Sequence, residues 1–578
     1  MTTANEKDVP VSDSGWRYYT VIAAMLCVAV FLSYRALNIQ VLENDFLKNE
    51  GDARHLRTIS LPANRGLISD RNGEVLAVSS PVVSVWANPQ AAPKESSAYS
   101  KLSEIIKLPA RDIGQLIKNK QKREFVYLRR HLSPIVEAQV RALEIPGISV
   151  VREFKRYYPA SEVTSQLVGF TDIDDQGIEG IEYQLNELLK GKPGEDRVVK
   201  DRRGRIIDSI DLIKTPEPGK DIALSIDKRL QYIAYRELKK QVQAHKATSG
   251  SLVLMNVHTG EVLAMVNEPS YNPNGISKAD RPNFRNRVAT DLIEPGSTIK
   301  PFIAAAALKS GQFSAKTPIE IAGRTMRVGK YTVTDTHNYS DLNLDLAGVI
   351  KKSSNIGISM VALQLPKEML WESLSDFGFG ELTGAEFPGE QKGVLPFFGE
   401  WDDFEQATLS FGYGVSVTSL QLTQAYAMLA NGGYLKPASM LKRESEPEGK
   451  RILSEAVSRE ILMMMESVVS QDGTAIKARI PGYRVAGKTG TVKKLGKRGY
   501  TEKNYLALFA GVAPVSNPQL AAVVMIDDPD VELGYYGGVV AAPVFSRVVS
   551  EALRLMDIPP DDIHEQPLRM AQAEGNIH

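Results

Sequence analysis

Ser297 stands three residues before Lys300 in the stretch Glu294-Pro-Gly-Ser-Thr-Ile-Lys-Pro301. Pro295 and Gly296 read as a breaker, and Phe302 to Leu308 is a run of small and apolar residues, so the pattern predicts a buried helix starting here. Residues i and i+3 share a helix face, which lets the Ser297 hydroxyl and the Lys300 amine meet. The pair is a nucleophile with a base beside it, the arrangement that attack on a carbonyl requires. Lys300 serves as base only when neutral. Holding a lysine in that form at pH 7 costs about 4.6 kcal/mol against its ordinary pKa.

Two further groups follow in order, Ser353-Ser354-Asn355 and Lys488-Thr489-Gly490-Thr491. Ser353 can relay a proton, and Asn355 can hold Lys300 and a substrate amide. Burial, a second cation at Lys488 and the positive end of the helix all push Lys300 toward its neutral form. Lys488, Thr489 and Thr491 suit a substrate carboxylate. Gly490 leaves room for a substrate backbone along a strand. The backbone N–H groups of Ser297 and Thr491 form a candidate oxyanion hole, where one donor is worth roughly 3 to 4 kcal/mol. Tyr505, with Tyr535, Tyr536 and Gly537-Gly538, either walls such a cleft or packs in a core or loop. Ser-x-x-Lys, Ser-x-Asn and Lys-Thr-Gly in this order are the set of the serine β-lactamases and penicillin-binding proteins, with Ser354 where class A enzymes commonly carry Asp.

Longer strings narrow the resemblance. Glu294-Pro-Gly-Ser-Thr-Ile-Lys-Pro-Phe302, Asp335-Thr-His337, Lys352-Ser-Ser-Asn-Ile-Gly357, Phe411-Gly-Tyr-Gly-Val-Ser-Val-Thr418 and Ala486-Gly-Lys-Thr-Gly-Thr491 resemble class B penicillin-binding proteins. So do the Arg65 to Gly73 and Gly177 to Glu182 strings. The likeness covers nearly the whole chain and is nearest to the division-specific branch. It implies a membrane-anchored pedestal carrying a periplasmic transpeptidase domain at the septum. Ser297 would take the D-Ala-D-Ala stem peptide, release D-Ala and pass the acyl group to a neighbouring stem amine. β-Lactams would acylate the same serine. The resemblance implies no metal and no cofactor. It also implies lipid II-derived glycan from a SEDS-type polymerase, with other division proteins bound through anchor and pedestal. An elongation-specific role is the alternative within the family. A D,D-carboxypeptidase or β-lactamase, which hands the acyl group to water, is the alternative chemistry, and a β-lactam sensor or assembly scaffold is the non-enzymatic one.

The elements that must position these residues follow from the rest of the chain. Its 578 residues are too many for one core and suit two to four domains. Lysine plus arginine equals aspartate plus glutamate at 69 each, so nothing argues for nucleic acid, and the basic runs Lys118 to Arg130 and Lys200 to Arg205 read as solvated faces. The single cysteine, Cys27, excludes an intrachain disulfide. It sits in Tyr18 to Tyr34, an uncharged segment at the lower limit for a bilayer span. Arg17 and Arg35 bracket it, with Trp16, Tyr18, Tyr19 and Tyr34 at the ends, where aromatic belts form. No small-x-small cleavage site follows, which predicts an uncleaved signal anchor in the inner membrane. The domain reading is a cytoplasmic tail at 1–16, a transmembrane anchor at 17–38, a mixed α/β pedestal at 39–218, a transpeptidase domain at 219–560 and a tail at 561–578. Asn72-Gly73 predicts a hairpin, 95–150 read as helical, and 150–215 mix strands with turns. Strands at 251–256, 261–266, 505–512 and 519–526, with helices at 230–245 and 541–556, predict an α+β sandwich with a mainly antiparallel sheet flanked by helices.

One motif points elsewhere. Gly482-Tyr-Arg-Val-Ala-Gly-Lys-Thr489 fits the phosphate loop of an NTPase, and Val523 to Asp527 resembles an acidic strand end. Such a loop must open a helix, and the glycines that follow, in a basic stretch, oppose one. The seven histidines show no metal-ligand spacing. His337 is expected to hydrogen-bond structurally, since Lys300 already fills the base role. Lys493 to Lys503 reads as a solvated loop, with a gate over the cleft as the alternative.

Overall fold

Helix α1 (Gly15–Leu37) is the apolar segment marked out by the sequence. With the turn after it, the helix runs from Trp16 to Val41, and its most apolar 18-residue stretch has a mean hydropathy of 2.0 with none of it buried; among the described residues it is the one helix long and apolar enough to cross a membrane. The computed structural model describes residues 15–43, 56–200, 206–335, 343–496 and 499–562; His337 lies outside them.

The chain divides into two units. The first comprises residues 1–63, 82–153 and 192–217. Strands β1 (Leu56–Leu61), β2 (Ile68–Ser69), β3 (Val75–Ala87), β4 (Val126–Leu132), β5 (Ile148–Tyr157), β6 (Gly194–Lys200) and β7 (Ile206–Lys214) cover the N-terminal region, with helices α2 (Ser100–Ile106) and α3 (Ala110–Asn119) between β3 and β4. In the first unit, β1, β6 and β7 form an antiparallel sheet in that order. The second half of β3 pairs with β4, setting Trp86 opposite Tyr127. Ile106, Ile113 and Ile117 of the two helices close a core with Val85 and Tyr99. The expectation of helix throughout 95–150 is corrected here by β4 and the start of β5. Val126 and Leu128 are buried while Tyr127 and Arg129 are exposed, the period of two that makes a strand. The surrounding basic residues mask that alternation in the sequence.

The second unit comprises 64–81, 154–191 and 218–578, so it takes in two segments that the sequence reading assigned to the pedestal. The Asn-Gly hairpin forms as expected, with Ile68 opposite Ala77. The Asp70 carboxylate pins its turn by accepting from the N–H groups of Asn72 (2.7 Å) and Glu74 (2.9 Å). Arg65 and Glu182 meet here: the buried Glu182 carboxylate lies between Arg65 Nε at 2.7 Å and Arg156 Nε at 2.6 Å.

The rest of this unit is built on helix α4 (Lys228–Ala244) and strands β8 (Ser249–Asn256), β9 (Val262–Glu268), β10 (Ala486–Gly496), β11 (Gly499–Ala513) and β12 (Leu520–Asp527). The strands form one antiparallel sheet in the order β9-β8-β12-β11-β10, as the α+β reading requires. Residues on both faces of β8 and β12 are buried, so helices must cover both sides. Helix α4, capped by Asp227, turns Leu230, Ala234, Leu238 and Val242 into the core and packs with α11 (Ala542–Leu555). Helices α5 (Lys300–Lys309), α6 (Leu346–Lys352), α7 (Asn355–Leu363), α9 (Ser419–Ala430) and α10 (Glu455–Val468) make the other helical layer, with α8 (Asp403–Leu409) against α7. Every residue of α5 from Lys300 to Leu308 is buried. It is apolar all round, the mark of a helix enclosed by others. Phe302 anchors it edge-on to Phe379 and Tyr426, at 5.1 and 5.3 Å between ring centres.

Candidate active site

The chain enters α5 through a single tight turn, Gly296–Ile299, that carries Ser297. Gly296 has φ +53°, and a Cβ there would fall 2.4 Å from Val492 of β10, so glycine is required. The turn is fixed from inside by the Thr298 hydroxyl, which donates to Pro295 O (2.6 Å), and by Tyr426, whose hydroxyl donates to Thr298 O (2.8 Å). Ser297 is thereby held half-exposed at the helix entrance, while Lys300, on the inner side, is fully buried.

Lys300 meets the second motif. Its Nζ donates to Ser353 O at 2.6 Å and to Asn355 Oδ1 at 2.7 Å, and lies 3.3 Å from Ser353 Oγ. Two N–H bonds to carbonyl oxygens are as many as a neutral amine can donate, so these contacts are compatible with an unprotonated Lys300. Lys488 Nζ, also fully buried, donates to the same Ser353 Oγ at 2.8 Å and to Thr489 O at 3.2 Å. Burial pushes the Lys300 pKa well below its ordinary value, and the neighbouring Lys488 lowers it further against an opposing pull from Asp335. Burial alone brings Lys488 down to about 7. Ser353 is therefore the shared partner of two lysines that burial drives toward neutrality.

Ser353 reaches this position because it ends α6 in the left-handed region at φ +61°. Ser354 then caps α7, accepting from Gly357 N at 2.9 Å. Asp335 organises this turn. One carboxylate oxygen accepts the Ser354 hydroxyl at 2.7 Å, and the other accepts the N–H groups of Asn355 and Ile356. Asn355 is tied down further by Nδ2, which donates to Thr334 O at 3.0 Å.

The third motif lies on β10, an edge strand. A cleft of about 670 Å³ opens along it, lined by Ser297, Ser353, Asn355, Thr489, Thr491 and Tyr505 among others. Tyr505, Tyr535 and Tyr536 stack in a row along its wall, at 4.3 and 4.4 Å between ring centres. Thr489 Oγ1 is 2.9 Å from Thr474 Oγ1, and Thr491 Oγ1 accepts from Gly537 N at 3.1 Å. The cleft also carries Lys352, Lys477 and Lys493 against Asp472, a balance that favours an anionic ligand.

Three local expectations are corrected. Among the described residues no hydrogen bond joins Ser297 to Lys300, because the amine is already committed to the Ser353 turn. Lys488 is too deeply buried to meet a substrate carboxylate directly; the cleft-lining hydroxyls of Thr489 and Thr491 are the groups that can. At Gly490 the space where a Cβ would stand is closed by the protein itself, with Thr298 Cγ2 at 3.0 Å and Pro295 O at 3.1 Å. The missing side chain brings β10 against the serine turn. The phosphate-loop reading is overturned too, since β10 continues as a strand through Lys488 and Thr489 where a helix would have to begin.

Asp335 and Thr474 were not singled out as functional from sequence. Asp335 lay in a recognised string without a role, and its partners become visible only when the strand end and the Ser353 turn are brought together. Thr474 carried no signal. Glu294, also unassigned, accepts from Gly414 N at 2.9 Å and from the Tyr500 hydroxyl at 3.0 Å, tying the serine turn to β11.

The profile of the penicillin-binding protein transpeptidase domain matches residues 250–550, and that of the penicillin-binding protein dimerisation domain matches 60–224. The chain is 42% identical over 553 residues to the probable peptidoglycan D,D-transpeptidase PbpC of Pseudomonas aeruginosa, covering 96% of this chain and 97% of that protein. It is 42% identical over 551 residues to the peptidoglycan D,D-transpeptidase FtsI of Escherichia coli K12, covering 94% and 93%. Among solved structures, a peptidoglycan synthetase from Bifidobacterium adolescentis aligns with a TM-score of 0.70 at 25% identity, over 87% of this chain and 97% of that one.

Proposed function

The chain belongs to the penicillin-binding protein family of peptidoglycan D,D-transpeptidases, and we propose that Ser297 is the residue that carries its acyl group. The observation behind this assignment is the hydrogen-bonded row from Lys488 through Ser353 to Lys300 beneath the serine turn. Ser297 Oγ adds to the carbonyl carbon of the penultimate D-Ala, and its proton passes to Lys300. The bond to the terminal D-Ala nitrogen breaks, and that nitrogen takes the proton from Lys300 by way of Ser353, which Lys488 holds in place, so Lys300 is neutral again. An amine of a neighbouring stem then attacks the ester and loses its proton to Lys300, which returns it to Ser297 Oγ as the ester bond breaks and the new amide forms. Asn355 and the Thr489 and Thr491 hydroxyls orient the stem, Gly490 keeps β10 close to the serine turn, and Tyr505 walls the site. The N–H groups of Ser297 and Thr491 receive the developing oxyanion. β-Lactams acylate the same serine.

The names of the relatives support work at the septum. In this reading α1 anchors the chain once in the inner membrane, residues 39–218 form the pedestal and 219–560 the periplasmic catalytic domain, and a SEDS-type polymerase supplies glycan. Intact-mass spectrometry after benzylpenicillin treatment tests the assignment: a lasting adduct on the wild type and none on Ser297→Ala is expected. An adduct on Ser297→Ala would refute it, and rapid release of the wild-type adduct would favour the hydrolytic alternative. Septal localisation of a tagged chain tests the division role.

A further inference from the structure

A second cleft, of about 650 Å³, lies in the same unit and shares no lining residue with the first. Its size is that of a small-molecule site. One wall is the N-terminal half of α10, another the short ribbon that carries Tyr434 and Arg451, and a third the loop at 515–518.

Four cations, Lys436, Arg451, Arg459 and Arg484, and two carboxylates, Glu446 and Glu455, line this cleft. The exposed Arg451 holds its guanidinium carbon 4.3 Å from the centre of the Tyr434 ring; among the described residues its one hydrogen bond goes to Leu453 O at 3.4 Å and no carboxylate pairs with it. The other cations of the cleft are already engaged: Arg459 with Glu455 at 2.6 Å, Arg484 with Glu466 at 2.7 Å, and Lys436 with Glu446. Asn431 turns its Oδ1 to His258 Nδ1 at 3.2 Å, which leaves both N–H groups of its buried Nδ2 without a partner. Ser458, 1% exposed, is a lining residue too, and its buried hydroxyl also has no partner. Unmatched buried donors are rare and costly, because each forfeits its hydration. Beside these groups lie Leu462, Met463, Val515 and Pro518. An open guanidinium fork, an amide donor and a hydroxyl next to an apolar wall match an oxyanion joined to an apolar body.

We propose that this cleft is a binding site for a small amphiphilic oxyanion, a carboxylate or a phosphate monoester, read by Arg451, Asn431 and Ser458. The full chain, held in nanodiscs and acylated at Ser297 with benzylpenicillin to close the catalytic cleft, is titrated calorimetrically with N-acetylphenylalanine, phenyl phosphate and N-acetylphenylalanine amide. At least one acid is expected to bind once per chain, tighter than about 1 mM, with the amide at least about tenfold weaker. Whichever acid binds tighter identifies the head group. Arg451→Gln should weaken that acid by about tenfold or more and Ser458→Ala by severalfold. Both variants should keep the wild-type rate of benzylpenicillin acylation, which shows that they fold. No binding of either acid, equal binding of the amide, or unchanged binding in a normally acylating Arg451→Gln chain would overturn the proposal.

Discussion

Two buried lysines about Ser353 give the candidate site a pH response of definite sign. Lys488 ordinarily titrates near 10.5 and in the folded protein near 7. Between those values the unfolded chain holds a proton that the folded chain has released, so unfolding takes one up and stability rises with pH by about 1.4 kcal/mol per unit. Lys300 acts in the same direction. Thermal denaturation of the penicillin-reactive unit should therefore move to higher temperature from pH 7 to 9, and a flat or falling profile would show that the lysines are not held neutral. The acylation rate should have an acid limb where Lys300 gains its proton. Lys488→Gln removes the neighbouring positive charge and should move that limb to higher pH, while Asp335→Asn removes the opposing negative charge and should move it lower. Stopped-flow acylation across pH separates the two; movement in a common direction would refute the electrostatic account. Asp335→Asn also weakens the turn that holds Asn355, at about 1 to 3 kcal/mol. Ser297, Lys300, Ser353, Asn355 and Lys488 could be picked out as candidates because each motif is local, and the structure brings the last four into contact beneath the Ser297 turn. The part of Asp335 could not, since its contacts join segments that fold together only in three dimensions. The depth of Lys488 was hidden for a related reason: a lysine on an edge strand reads as solvent-facing until the Ser353 turn covers it.

At the level of elements, the site depends on how closely β10 approaches the turn before α5. Gly490 sets that approach from the strand side and Gly296 from the turn side. Gly490→Ala must displace Thr298 or Pro295, and a shift of the nucleophile should slow benzylpenicillin acylation by about tenfold or more with little loss of stability. An unchanged rate would mean that the turn tolerates the displacement. The strands and helices of the sheet were legible because β8 and β12 are apolar runs bounded by turns and α4 has a clean apolar stripe. β4 was not, because the run Arg129-Arg130-His131 along it imitates a charged helix.

On the scale of the whole chain, the apolar α1 and the two units answer to separate tests. A chain lacking residues 1–41 should leave the membrane fraction yet still be acylated by benzylpenicillin; retention in the membrane would point to a second attachment. Within the second unit, Glu182→Gln leaves Arg65 and Arg156 buried beside an uncharged partner and should destabilise by about 3 to 5 kcal/mol, read as an earlier melting transition. The edge position of β10 has a consequence for how the protein can change over time. A free strand edge recognises an extended ligand largely through main-chain N–H and C=O groups, which every residue but proline supplies alike. Substituting side chains on β10 can reshape the floor of the cleft without altering that row of groups. For an inhibitor whose extended backbone pairs with that edge, escape by substitution must therefore come from the walls and the turn.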